Sequence, residues 1–367
     1  MATFIKLNSS TDTIVDTQKV TAGYFSNGSG KLLGSALHSA SVAATNETYY
    51  YGITNSEDAD ATTQFTVAYG HYAGSGSVTD SDDIKGATQA IYSQWASTLL
   101  PENEITGGFI ISSPGSNSAV TSGKDEDIYI LVARRSLFKE RFNKGNWTLQ
   151  FSGSNTANNA VQTLVLTDDS KTTTPTATPA GPRYNIVTGS DGNLHSTDSS
   201  SAARNFGFFY PEVGALVFSV AEMSRSIQGA AAITSSAITY KGATNNGFAP
   251  GTGNDADYKN GLKFINALKC GNSANTYIQA RSEEDQTSVS YFCRATANQM
   301  NFSNNPTFVS GSANEIRQST LRGNPTVFIT GVGLYNTSGQ LVAISKLSTP
   351  LKKNFSSEAT IKVKLTY

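Results

Sequence analysis

Residues Gly331–Gly339 read GVGLYNTSG, within the longer stretch PTVFITGVGLYNTSGQLVAISKLSTPL from Pro325 to Leu351. Two readings compete. A glycine loop that cradles a phosphate would point to a nucleotide enzyme. A β-hairpin would point to a packing or binding protein. The phosphate reading fails on chemistry. A dinucleotide fingerprint needs a third glycine where Asn336 stands, and a P-loop needs Gly-Lys-Ser/Thr. The following QLVAISKL has a strand pattern, so no helix N-terminus would face an anion. A hairpin fits: Asn336–Gly339 is a turn with glycine where φ turns positive, flanked by Leu334 and Leu341.

The rest of the chain agrees with a β reading. Of 367 residues only 15% are charged, against about 25% in average proteins. Uncharged polar residues and 32 glycines fill the gap. Few Lys and Glu beside many Thr, Tyr, Phe and Val disfavour long surface helices and favour strands. The formal net charge of −1 gives no overall bias toward nucleic acid or anionic membrane. No apolar run is long enough to span a bilayer. The N-terminus has no charged region leading into an apolar run, so no secretory leader is expected, synthesis is expected in a reducing cytoplasm, and Cys270 and Cys293 are expected to be free thiols.

The expected fold is mainly β: β-sandwich-like lobes of antiparallel sheets with two short helices. Four segments are expected. Residues 1–45 form an extended arm that needs a partner surface. Residues 46–168 form a β-rich domain with a helix from about Asp83 to Leu100, where Ile91, Trp95 and Leu99 recur at four-residue spacing. The Pro/Thr-rich stretch 169–183 reads as a linker or crossing loop between lobes. Residues 184–367 form a second β-rich domain, with a helix over Asp257–Gly271 on which Leu262, Ile265 and Leu268 share a face. GFIISS near Gly108 reads as a strand. Tyr277–Ala280 and Ser288–Ala295 read as hairpin arms with the acidic Glu283–Asp285 at their tip. Of Tyr49, Tyr50 and Tyr51, strand alternation sends at least one into a core.

No catalytic constellation is visible, and none of its parts outweighs a structural role. His38, His71 and His195 form no HxH or HExxH pattern. No GxSxG surrounds a serine. Glu212 and Glu222 are conceivable as a carboxylate pair, with nothing to set their separation. Asp80–Asp83 and Glu283–Asp285 follow no EF-hand pattern. The basic run ARRSLFKERFNKG, Ala133–Gly145, reads as a solvated face or protein interface before a nucleic-acid contact. The chain is therefore expected to be non-enzymatic, with no cofactor and no metal.

Several segments together resemble a known family. Arg281–Ala295 (RSEEDQTSVSYFCRA), Asn301–Arg317 (NFSNNPTFVSGSANEIR), Asn324–Phe355 and Ala359–Tyr367 (ATIKVKLTY) resemble the C-terminal half of a virion structural protein of T4-like cyanophages and related marine contractile-tailed phages (myoviruses). Ala68–Ser77, Ala90–Leu100, Arg134–Gly153 and Tyr210–Ser219 resemble its earlier parts. GLYNTSGQLVAISKL also resembles a β motif of baseplate-attached tail-fibre proteins. The resemblance implies a virion component of the tail or baseplate, working through contacts with other tail proteins and with its own copies, without nucleic acid or membrane. Phe4, Ile5, Tyr24, Phe25, Thr360, Ile361, Val363, Leu365 and Tyr367 are the expected interface residues. The alternatives are a carbohydrate- or receptor-binding module on a fibre, or a neck or capsid decoration protein.

Overall fold

The computed structural model describes residues 4–32, 49–54, 62–73, 85–111, 123–154, 161–195, 204–227, 247–248, 256–268 and 278–367. Its first half contains β1 (Thr13–Gly23), β2 (Lys31–Leu32), β3 (Tyr50–Ile53), β4 (Phe65–His71), α1 (Lys85–Leu99), α2 (Glu102–Ile105), β5 (Asp127–Ala133), β6 (Arg141–Phe142), β7 (Leu149–Ser154) and β8 (Val161–Asp168). The second half contains β9 (Thr176–Thr178), β10 (Gly181–Ser190), β11 (Asn193–Leu194), β12 (Gly207–Tyr210), β13 (Ala215–Ser219), α3 (Val220–Ser226), α4 (Ala256–Ala267), β14 (Ile278–Gln279), β15 (Arg281–Ala295), β16 (Val309–Ser310), β17 (Glu315–Ile316), β18 (Val327–Tyr335), β19 (Leu341–Lys353) and β20 (Ala359–Thr366). The fold is mainly β with antiparallel sheets. The chain divides into two units: unit one is residues 1–19 and 285–367, and unit two is residues 20–284.

Unit two is built on a large antiparallel sheet with strand order β3-β4-β5-β13-β12-β10-β8-β7. Its central strands are apolar at nearly every position, because both faces are covered. Phe65, Val67, Tyr69, Tyr129, Leu131, Leu216 and Phe218 point to one face, where Trp147, Phe142 and the α4 residues Phe264 and Ile265 pack. Ala68, Ile128, Ile130, Val217, Phe208 and Tyr210 point to the other, beneath Ile91, Tyr92, Ala96 and Leu99 of α1. A strand buried on both faces loses the alternation that marks a half-exposed one. Helix α4 approaches the sheet closely at Gly261. A Cβ there would come within 2.7 Å of the Tyr51 ring, which explains a glycine inside a helix.

The structure corrects four expectations here. Residues 169–183 do not divide the chain. They lie inside unit two, where β9 pairs with the start of β10 and the Asp169 carboxylate accepts from the backbone N–H and side-chain amide of Asn185. Of the expected arm, residues 1–45, the described part (4–32) is not detached: β1 lies beside β15, and Tyr24 and Phe25 sit in the main core. Gly108–Ile111 is not a strand, although Phe109 and Ile111 are buried beneath α1. Glu283–Asp285 is not a hairpin tip: Arg281–Ala295 is one continuous strand with the acidic residues inside it. Two helices beyond the expected pair appear, α2 and α3. The Tyr triplet resolves as alternation requires, with Tyr51 buried and Tyr50 exposed. Cys270, His38 and Asp80–Asp83 lie outside the described residues.

In unit one, β15 is flanked by β1 and β20. Two further pairs, β16–β17 and β18–β19, join no larger sheet among the described residues. Both large clusters of buried hydrophobic residues belong wholly to unit two. Among the described residues, the buried apolar residues of unit one are Val289, Ala295, Val309, Val327, Ala359 and Val363. All are small, so they bury little area.

Candidate interaction surface

GVGLYNTSG forms the hairpin its sequence implies. The Gly339 N–H donates to Asn336 O at 3.0 Å, and Gly339 takes φ +77°. The Asn336 side chain closes the turn. Its Oδ1 accepts from the N–H groups of Ser338 (3.0 Å) and Gln340 (2.8 Å), and its Nδ2 donates to Gln340 Oε1 (2.9 Å). Such local side-chain bonds are why Asn is favoured where a chain reverses. Behind the turn, Gly331 faces Lys346, Val332 faces Ser345, Gly333 faces Ile344 and Leu334 faces Ala343. A register shift then falls between Ile329 and Gly331. Opposite it lies Leu347–Pro350, and proline, having no N–H, is tolerated at such an irregularity.

The hairpin is anchored at its base by a buried cation. Lys353 is fully buried, and its Nζ donates to Ala297 O (3.1 Å), Asn301 Oδ1 (2.8 Å) and Asn354 O (2.8 Å). Three donors meet three neutral oxygens, so the desolvated ammonium is fully hydrogen-bonded.

Beyond that base the hairpin exposes its apolar side chains. Ile344 is 70% exposed, Phe328 62% and Val342 61%, with Tyr335 and Leu341 also exposed. Phe4 stacks edge-on against Tyr335, with ring centroids 4.9 Å apart, and is itself exposed. Ile14 and Val15 of β1, Phe355 and Tyr367 extend the exposed set. Fourteen of the seventeen large hydrophobic side chains exposed among the described residues belong to unit one. Large exposed apolar side chains gathered along one hairpin make it a candidate interaction surface.

The expected interface residues fare unequally. Phe4, Ile5, Thr360 and Tyr367 are exposed, and Ile361 and Leu365 are half-buried. Tyr24, Phe25 and Val363 are buried within this chain and leave no side-chain surface for a partner. Tyr24 is fixed by an aromatic group of Phe25, Phe65, Phe138 and Phe142. Its hydroxyl donates to Gln64 O and accepts from Arg134 N–H. The hairpin is not among the expected interface residues. Its signal was present: no charged residue stands between Arg322 and Lys346, and LVAI is apolar at successive positions, hence on both faces.

The charged segments have internal uses. Arg141 bonds Glu283 at 2.8 Å and Lys139 pairs with Glu284 at 2.8 Å, so the basic run and the acidic cluster satisfy each other. Arg135 donates to Lys139 O and Glu140 O while stacking on Phe138. Lys144 donates to the Tyr184 hydroxyl. Glu222 is buried and bridged by Arg204 at 2.6 Å, whereas Glu212 is exposed in the β12–β13 turn.

Three aspartates have carboxyls pushed up by burial, and each has a structural use. Asp125 accepts from the Ser219 hydroxyl and the Ile111 N–H. Asp127 accepts from the Tyr69 hydroxyl and faces His71 Nε2 at 3.7 Å. Asp168 accepts from the Gly145 N–H. His71 Nδ1 accepts from the Ala73 N–H, and His195 is exposed. Among the described residues, no three His, Cys, Asp or Glu side chains converge on a metal-sized site, and no helix is long and apolar enough to cross a membrane.

Comparison of the chain with protein-family models, curated proteins and solved structures returns no match.

Proposed function

We propose that this chain is a non-enzymatic structural component of a phage virion, making protein–protein contacts in a contractile tail, in the baseplate. The observation that carries this reading is the apolar exposure of unit one. A segment with only small buried apolar residues and many large exposed ones suits assembly, because its hydrophobic burial must come from neighbours. The segment resemblance supplies the place. The buried carboxylates Asp125, Asp168 and Glu222 serve backbone contacts and an ion pair, which suits a mechanical part.

The test is reconstruction of an intact particle carrying this chain. Symmetric copies at the distal tail support the reading. Hundreds of copies on the capsid lattice, or absence from the particle, sink it. Binding of the isolated protein on a glycan array would favour receptor recognition.

A further inference from the structure

We propose that the β18–β19 hairpin is a self-association element: its exposed faces and edges are covered by the same hairpin of further copies of this chain. The inference deepens the assembly reading above by naming the segment and the partner.

Stability is the first argument. A two-stranded hairpin standing alone is marginal in water. This one joins no larger sheet among the described residues, and unit one has no large buried cluster to hold it. Its strands nonetheless run for 9 and 13 residues. Burying Phe328, Tyr335, Leu341, Val342 and Ile344 supplies what the isolated unit lacks.

Charge selects the partner. From Gly323 to Ser345 the sequence contains no Asp, Glu, Lys or Arg. Edge strands of soluble proteins are ordinarily guarded by lysine, proline or inward charges that prevent pairing with their own copies. Here β18 and the turn-proximal part of β19, Leu341–Ser345, carry no charge and no proline; Pro325 precedes β18, and Lys346, Pro350 and Lys352 stand only in the far half of β19. A charge-free apolar strip offers nothing to select an oppositely charged partner, and two copies of it set no like charges against each other. The surroundings differ. Unit one as a whole carries ten Lys and Arg against five Asp and Glu, all outside that strip. Association between copies therefore works against a rim repulsion that salt screens. Docking on an acidic partner would instead weaken with salt.

The test is the solution mass of the full purified chain by sedimentation. The wild type is expected at a multiple of 38.8 kDa, persisting or strengthening as salt rises. The Val342→Lys, Ile344→Lys double variant is expected at the single-chain mass. Leu194→Lys, an exposed site in unit two, is expected to leave the mass unchanged. Both hairpin residues are largely exposed in the chain, so lysine there disturbs no internal packing. Hydrogen exchange on the wild type needs no variant: protection at Leu341–Lys346 is expected to rise with protein concentration. A wild type at single-chain mass, an assembly that salt dissolves, or a double variant that stays assembled overturns the proposal. None of those outcomes bears on whether the chain is found in a virion.

Discussion

At the residue scale, two buried lysines behave differently because their surroundings differ. Lys353 has its three donors matched to three oxygens. Replacing it with alanine strands those acceptors, and each buried unsatisfied group costs about 1–3 kcal/mol. Lys353→Ala is expected to lower the stability of unit one measurably in urea, with little change in unit two. For Lys263 on α4, burial acts on the charge itself. Burial lowers its pKa from 10.5 to about 8. The folded protein thus gives up this proton more readily than the unfolded chain. The linked stability is fully present above 10.5, and it is lost as pH falls through about 8. At pH 7 the charged lysine costs stability, on the order of 1–3 kcal/mol. Lys263→Met is expected to raise the urea midpoint at pH 7 and to flatten the wild type's rise between pH 7 and 9. A steeper rise in the variant would sink the assignment.

At the element scale, the β18–β19 hairpin depends on its turn. Asn336 contributes three side-chain hydrogen bonds within five residues. Asn336→Ala is expected to cost about 1–2 kcal/mol of hairpin stability, read as faster amide exchange across Gly331–Ser345. The α4–β3 contact is a separate check on close packing. Gly261→Ala places a methyl against the Tyr51 ring. It is expected to destabilise unit two by about 1–3 kcal/mol despite alanine's better helix propensity. A stabilised variant would mean that the ring moves freely aside.

At the scale of the whole molecule, the apolar material is unevenly divided. Both hydrophobic clusters are in unit two, and most large exposed hydrophobics are in unit one. Unequal cores give unequal cooperativity. Heating the full chain is expected to show two transitions. The one assigned to unit two by buried-aromatic fluorescence should be independent of protein concentration. The one assigned to unit one should rise with concentration, because a unit stabilised by its partners obeys mass action. A single concentration-independent transition for both would contradict the division.

What the sequence determined by itself was local. The Asn336–Gly339 turn, the α1 and α4 apolar faces, the split of Tyr50 from Tyr51 and the antiparallel β class all follow from periods and turn chemistry acting over a few residues. What only the tertiary structure decided was which surfaces meet. Tyr24 and Phe25 looked like part of a free arm, because nothing local shows that Phe65, Phe138 and Phe142 close around them. Residues 169–183 looked like a linker, because proline and threonine say where a chain turns but not that Asp169 ties it to Asn185. Glu283–Asp285 looked like a solvated tip, because a strand that crosses between ion-pair partners has the same composition as a loop. The candidate surface lay between these cases. Its lack of charge was written in the sequence, but an uncharged β run is equally the mark of a buried strand. Only the exposure of these side chains, with β18 and β19 in no larger sheet among the described residues, shows that this apolar pair faces outward.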